Sequence, residues 1–237
     1  MSGADPADNP VDNAPGRIAL VHALDESMQP IAAAFDRLWP QAPRFDVLDS
    51  ALSRDRAAGN LTPAVAARVL ALLRYAVEVG GPGSKTAAIL FTATAFGPAL
   101  AAARNKIAVP ILSPHQSAFA EAAASGQRVA LLVSFPPSEA PLERDLASAI
   151  TAAGADTRAV LVPVPGALDA LQNGDTATHD GLIAEAAAAT PADLYLLGQF
   201  SMARAAPAVE AAVTGRVLTT PDSAVLAMRR LLTGGAR

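Results

Sequence analysis

Short apolar runs alternate with amphipathic stretches along the chain. The first four apolar runs cover residues 17–22, 45–48, 87–91 and 107–112. Between the first two, Ile31, Phe35 and Leu38 recur at helical spacing, and Pro40 ends the stretch. The run at 87–91 is unbroken, which is typical of a strand buried on both faces. This order predicts strands that alternate with helices.

The second half of the chain repeats this rhythm. Its predicted strands span residues 128–134, 157–162, 193–197 and 216–218. Its predicted helices span residues 138–153, 180–189 and a last stretch that Thr220-Pro221 caps. Alternating strands and helices imply parallel sheets covered by helices on both faces. Because the pattern recurs, we predict an α/β fold of two doubly wound lobes rather than one eight-stranded sheet.

The predicted boundary between the lobes lies near Ser113-Pro114. The N-terminal lobe is expected to hold residues 17–113 with 221–237, since we expect the last helix to return to it, and the C-terminal lobe residues 114–220. The first 16 residues are acidic and lack the apolar core of a signal peptide, so a disordered tail is predicted at 1–16.

Composition narrows the chemistry. The 237 residues are 51% apolar, which is ample for a core, but include no cysteine, so disulfides and every thiol mechanism are excluded. A net charge of -4 argues against a general nucleic-acid binder, and three histidines argue against a histidine-rich metal site. The longest apolar tract is interrupted by Thr, Gly and Pro, so no membrane span and a cytoplasmic location are expected.

Ligands of parallel sheets bind beyond the carboxyl ends of the strands. Four such segments stand out, at residues 22–27, 49–55, 92–97 and 198–201. Thr92 and Thr94 place two hydroxyls where a buried strand meets a helix, and free backbone N–H groups there favour a carboxylate. The competing interpretation is an ordinary helix start, with Thr94 as the capping side chain, and with Ser201 as the cap of the matching second turn.

Four side chains are candidates for acid or base chemistry: His22, Asp25, Asp49 and His115. Each can instead belong to a solvated loop or cap a helix. His179 lies in a polar stretch and is expected to be exposed. The segment 80–86 has the composition of a phosphate loop but neither its spacing nor its strand–loop–helix order, so we interpret it as a surface turn.

At its predicted turns the chain resembles the aspartate/glutamate/hydantoin racemase superfamily, which also contains arylmalonate decarboxylase and maleate isomerase. Ile89-Leu-Phe-Thr-Ala-Thr-Ala-Phe-Gly-Pro98 is similar to the first catalytic turn of that superfamily, and Leu197-Gly-Gln-Phe-Ser-Met-Ala203 to the second. His22-Ala-Leu-Asp-Glu-Ser27 resembles its first substrate loop, and Val109-Pro-Ile-Leu-Ser-Pro114 its lobe connection. The similarity extends from about Arg17 to Leu232.

The resemblance implies two flavodoxin-like lobes related by pseudo-two-fold symmetry. It also implies a small carboxylate or hydantoin-like ligand in the cleft between them. No metal, nucleotide or pyridoxal cofactor is implied. A homo-oligomer is a further expectation, because relatives are often dimers or larger. Substrate contacts are expected from the following residues: Ser27, Thr92, Thr94, Ala95, Phe200 and Ser201.

The chain departs from this superfamily where its racemases carry two cysteines. Ala93 stands at the first cysteine position and Gln199 at the second, and neither side chain can move a proton. Three explanations stay open: another group such as His22, Asp25, Asp49 or His115 acts as the base, the protein binds ligands without catalysis, or Ala93 replaces a native cysteine by engineering.

The leading hypothesis is therefore a racemase-like protein that binds a small carboxylate or cyclic amide. If it is an enzyme, cofactor-independent isomerase, racemase or decarboxylase chemistry without thiols is expected. The alternative is an inactive ligand-binding or sensor protein on the same fold. A third hypothesis, a hydrolase that uses Ser201, needs a histidine within hydrogen-bond reach of that hydroxyl.

Overall fold

The computed structural model describes residues 16–57, 61–79 and 85–234. Within these residues, eight strands form two separate parallel sheets of four. The first sheet has the order β2-β1-β3-β4, with β1 (Arg17–His22), β2 (Arg44–Leu48), β3 (Thr86–Phe91) and β4 (Ile111–Leu112). The second has the order β6-β5-β7-β8, with β5 (Arg128–Val133), β6 (Arg158–Pro163), β7 (Leu194–Leu197) and β8 (Arg216–Thr219). The predicted α/β fold of two doubly wound lobes is confirmed.

Helices connect the strands and cover the sheets. Those around the first sheet are α1 (Met28–Leu38), α2 (Ala51–Ala57), α3 (Pro63–Glu78) and α4 (Gly97–Arg104). The remaining helices are α5 (Gln116–Ala123), α6 (Pro136–Ala153), α7 (Ala167–Gln172), α8 (Thr176–Ala188), α9 (Ala206–Ala212) and α10 (Thr220–Thr233). Short 3₁₀ turns precede α1, α4 and α9, at Asp25–Ser27, Thr94–Phe96 and Phe200–Ala205.

Successive side chains of a strand point to opposite faces of the sheet. Each central strand therefore contributes to two hydrophobic cores, one on each face. In β3, Ile89 and Phe91 pack with Leu73 of α3, whereas Ala88 and Leu90 belong to the cluster on the opposite face. In the second lobe, Leu131 and Leu132 of β5 separate in the same way between the faces covered by α6 and α8. Burial on both faces explains why these strands are unbroken apolar runs.

The last helix packs on the first sheet. Val225 and Met228 of α10 are fully buried in one cluster with Ile31 and Phe35 of α1. An aliphatic and aromatic layer therefore holds α10 against α1. The division of the chain near residues 113 and 221 stays a prediction.

The fourth strand is shorter in the structure than predicted. The fourth strand was expected over 107–112, but β4 is limited to Ile111–Leu112, because Pro110 has no N–H to donate to a sheet. The Pro110 carbonyl still accepts from Ile89 N at 2.9 Å.

The expectation that His179 is exposed is wrong. Asp175 begins α8 by accepting from the backbone N–H of Thr178 at 3.0 Å, so this helix starts earlier than predicted. His179 consequently lies within α8 and is fully buried. The last helix also differs, since Thr219 is its N-cap residue and no side chain caps it.

Some predictions fall partly or wholly outside the described residues. Of the tail predicted at 1–16, residues 1–15 lie outside the described ranges, as do residues 80–84 of the turn predicted at 80–86. Gly16 is described and lies against Lys85 so closely that a side chain there would meet the Lys85 carbonyl. In the described part of the chain, no helix combines the length and apolarity needed to cross a membrane.

Candidate functional site

A cavity of about 610 Å³ lies between the lobes, at the carboxyl ends of strands from both sheets. The two turns singled out in the sequence both line it, one following β3 and the other β7. The sequence-predicted residues that it brings together are Ser27, Thr92, Ala93, Thr94, Ala95, Gln199, Phe200 and Ser201. This is the position where doubly wound folds bind ligands.

The hydroxyls of these turns do not cap helices. The N-cap residues of the two 3₁₀ turns are Ala93 and Gln199, both extended, and no side chain makes a capping hydrogen bond in either. The interpretation of Thr94 and Ser201 as caps is therefore wrong. Thr94 and Ser201 are nearly fully buried, yet both line the cavity.

Close packing brings the second turn against the end of β5. A Cβ at Gly198 would lie 2.8 Å from the Leu132 carbonyl and 3.0 Å from a methyl carbon of Leu131. Only glycine allows this approach. It places the next residue, Gln199, beside the turn that follows β5.

Gln199 is held at its amide oxygen. This Oε1 accepts from Ser134 N at 2.7 Å, from Phe135 N at 3.2 Å and from Ser134 Oγ at 3.0 Å. Since backbone N–H groups can only donate, the oxygen and not the nitrogen of the amide must face them. The NH₂ group of Gln199 is thus the end left for the cavity that this residue lines.

A hydroxyl pair connects the lobes at the cavity. Thr94 Oγ1 lies 2.7 Å from Oγ of Ser138, which is fully buried on α6. Arg56 adds a second link, because its Nε donates to the Ala95 carbonyl at 3.2 Å and a terminal nitrogen to the Pro137 carbonyl at 3.5 Å. The turn that follows β3 is therefore tied to the start of α6.

His22 lies behind the first turn. It is fully buried, with Nδ1 2.9 Å from Thr92 Oγ1 and Nε2 2.9 Å from Asp46 Oδ1. Burial lowers the pKa of His22 below its usual value, although Asp46 opposes that shift. His22 does not line the cavity, whereas Thr92 does.

The other candidate bases also lie away from the cavity lining. Asp25 is exposed, and a hydrogen bond with Glu26 lowers its pKa. Asp49 forms an ion pair with Arg68. The Nε2 atom of His115 is 2.9 Å from Asp145, beside a separate cavity of about 450 Å³.

Glu26 lies in the 3₁₀ turn at Asp25–Ser27, beside the second lobe. Its side chain lies beside Gln172, which lines the cavity from α7. Burial, together with a hydrogen bond to Asp25, raises the pKa of Glu26 to about 7. Its Oε2 is buried without a hydrogen-bond partner among the described residues.

The residues that line the cavity after β5 and β6 were not identified from the sequence. The overlooked lining residues are Ser134, Phe135, Pro136, Pro137, Pro165, Gly166, Leu168, Asp169 and Gln172. The rule that placed ligands beyond strand ends in the first lobe would have found them if applied to these two strands. Among the described lining residues, Asp169 is the only carboxylate and Arg54 the only cation.

The hypothesis of a Ser201 hydrolase is not supported. The three histidines hydrogen-bond to other partners, His22 to Thr92 and Asp46, His115 to Asp145, and His179 to Asp180. None contacts the Ser201 hydroxyl, so no histidine activates it as a general base. Within the described ranges, no group of three His, Cys, Asp or Glu side chains is arranged to hold a metal ion.

Comparison with known proteins identifies relatives of this arrangement. The model of the Asp/Glu/hydantoin racemase family matches residues 25–228. Comparison of the sequence with curated proteins gave no significant match.

Solved structures share the fold at low sequence identity. Glutamate racemase from Francisella tularensis, in complex with D-glutamate, is 11% identical with a TM-score of 0.71, over 93% of this chain and 82% of that one. Allantoin racemase from Klebsiella pneumoniae is 18% identical with a TM-score of 0.67, over 92% and 88%. Unliganded arylmalonate decarboxylase is 20% identical with a TM-score of 0.57, over 94% of both chains.

Proposed function

Because the chain belongs to the Asp/Glu/hydantoin racemase family, we propose that it binds a small carboxylate between its lobes and exchanges a proton at the adjacent carbon without a thiol. The observation that carries this proposal is the orientation of Gln199. Three donors hold its oxygen, so its NH₂ group is available to a ligand oxygen. The resemblance places Gln199 at the position of a racemase cysteine.

Removal of a proton beside a carboxylate places negative charge on the carboxylate oxygens. Hydrogen-bond donors that are fixed in place before the reaction stabilise such charge. The Gln199 NH₂ group and the Thr94 hydroxyl are supplied by opposite lobes and line the same cavity. A carboxylate held between them is positioned for the formation of an enediolate.

Asp169 is proposed as the group that carries the proton. Ala93 has no acid or base function, and Asp169 is the one carboxylate among the described lining residues. In the proposed step the proton moves from the α-carbon to an Asp169 oxygen, and the C–H electron pair moves toward the substrate carboxylate. Return of a hydrogen from Asp169 to the same face restores the substrate, and in deuterated water this leaves deuterium at the α-carbon.

Known ligands of the fold support this size and charge. The Francisella tularensis glutamate racemase was solved with D-glutamate, a compact amino-acid carboxylate. A cavity of about 610 Å³ is ample for a ligand of that class. Catalysis by this route requires no cofactor.

Proton exchange followed by NMR in deuterated water tests the proposal. The panel contains aspartate, glutamate, hydantoins and arylmalonates. The variants are Asp169→Asn and, as a matched control, Asp156→Asn, whose side chain is 87% exposed and pairs with Arg158. We expect exchange by the native protein and by Asp156→Asn, and a loss of roughly 100-fold or more in Asp169→Asn.

Other outcomes would overturn parts of the proposal. Binding of panel members without exchange or decarboxylation would identify a ligand-binding protein. Exchange that persists in Asp169→Asn would exclude Asp169 as the base and return attention to His22, Asp25, Asp49 and His115. Absence of any binding would contradict the carboxylate site itself.

A further inference from the structure

We infer that Thr92 presents a hydrogen-bond acceptor to the cavity and thereby selects ligands that carry an N–H group beside their carboxylate. The inference rests on the proposed function and assigns a specificity-determining residue to that site. It is carried by the chain of contacts from Asp46 through His22 to Thr92. From the sequence, the Thr92 hydroxyl is expected to donate a hydrogen bond to a ligand carboxylate. In this inference, its oxygen instead accepts a hydrogen bond from the ligand.

The first step concerns the proton on His22. The Asp46 carboxylate offers only acceptor atoms, so Nε2, at 2.9 Å, must carry the ring hydrogen. Complete burial lowers the pKa of His22, which keeps the imidazole neutral with a single N–H. The other ring nitrogen, Nδ1, is therefore an acceptor.

The second step concerns the Thr92 hydroxyl. Its single hydrogen has a strong acceptor in His22 Nδ1 at 2.9 Å. The competing acceptor, the Val21 carbonyl, is longer at 3.3 Å and already receives the Thr92 backbone N–H at 2.9 Å. With its hydrogen directed to His22, the Thr92 oxygen offers only lone pairs to a ligand in the cavity that this residue lines.

Thr94 presents a hydrogen-bond donor to the cavity, not an acceptor. Ser138 is fully buried, and its hydroxyl hydrogen-bonds only to Thr94 Oγ1 among the described residues. Ser138 therefore donates to Thr94, which leaves the Thr94 hydrogen for the cavity. Thr94 and Gln199 present donors suited to carboxylate oxygens, whereas Thr92, two residues from Thr94, presents an acceptor suited to an ammonium or amide N–H.

Paired ligands test this assignment. Aspartate and succinate differ in one ammonium group, and their Kd values can be compared by calorimetry for the native protein, Thr92→Val and Thr92→Ser. Valine keeps the shape of threonine without the oxygen, and serine keeps the oxygen. We expect Thr92→Val to weaken the preference for aspartate by roughly tenfold and Thr92→Ser to retain it. Asp169 also lines the cavity and can attract an ammonium group, so the two variants decide, not the native preference alone.

A second measurement needs no ligand. Nitrogen-15 NMR of the histidine rings, assigned with a His22→Gln variant, should show His22 protonated at Nε2 and bare at Nδ1. A His22 ring protonated at Nδ1 would overturn the inference. So would an unchanged aspartate-to-succinate ratio in a folded Thr92→Val protein, and in that case the carboxylate site stands. If neither ligand binds, the proposed function fails and this inference fails with it.

Discussion

The hydroxyls of Thr94 and Ser138 lie 2.7 Å apart and form a direct side-chain link between the two lobes. Thr94 belongs to the turn after β3, and Ser138 to the first turn of α6. Because Ser138 is fully buried, no water can substitute for this contact without rearrangement of α6. The Thr94–Ser138 contact therefore helps to fix the first turn relative to the second lobe, together with the link through Arg56.

Replacement of Ser138 by alanine should loosen this link. We expect a loss of about 1 kcal/mol in the free energy of unfolding, the typical value for one buried hydrogen bond. Urea denaturation measures this change. Ser148→Ala, on the exposed part of the same helix, is the matched control and should stay within about 0.5 kcal/mol of the native protein. Equal stability of Ser138→Ala and the native protein would show that the link contributes nothing.

Gln199 should matter for folding through its oxygen alone. Gln199→Leu leaves the N–H groups of Ser134 and Phe135 without their acceptor, so we expect a loss of roughly 2–4 kcal/mol. Gln199→Glu retains an acceptor oxygen at the same place and should stay within about 1 kcal/mol of the native protein. Comparison of the two unfolding midpoints checks this difference. Equal destabilisation by both substitutions would argue that the amide nitrogen holds the turn.

Glu26 should make stability depend on pH. Its pKa is raised from the ordinary 4.5 to about 7 in the folded protein, so the folded state binds the extra proton between these values. Stability from this group is therefore present below pH 4.5 and is lost as the pH rises to about 7. An amide does not titrate in this range, so the decline should disappear in a Glu26→Gln protein.

The measurement is the free energy of unfolding at about pH 5 and about pH 8 for the native protein and Glu26→Gln. Glu210→Gln, which changes an exposed carboxylate, is the control and should keep the native pH dependence. A decline of equal size in Glu26→Gln would mean that another group is responsible.

Local pattern was sufficient for most of the fold. Strands buried on both faces are continuous apolar runs, which the sequence shows directly. Thr62 and Pro63 predict the start of α3, and the Thr62 hydroxyl does accept from Val65 N. The start of α8 was missed because Asp175 was not recognised as a cap, and His179 was misplaced as a result. Errors of this kind lie at helix ends, where one side chain decides the boundary.

The two turns of the site were recognisable because each follows a buried strand. Their partners were not, because the contacts join distant parts of the chain. Gln199 and Ser134 are 65 positions apart, and His22 and Thr92 are 70 apart. No local spacing could indicate that the amide oxygen of Gln199 accepts from the turn after β5. Nor could it indicate that His22 accepts the Thr92 hydroxyl hydrogen and leaves Thr92 as an acceptor.

The most direct test of the carboxylate site is the binding of succinate and aspartate to Gln199→Glu, measured by calorimetry beside the native protein. Glutamate can accept from Ser134 and Phe135 as glutamine does, but it replaces the NH₂ group at the cavity by a second carboxylate oxygen. We predict that the folded variant binds both ligands at least about tenfold more weakly, since a donor becomes a like charge. Native affinity in that variant would contradict the account, because the carboxylate would then be held elsewhere.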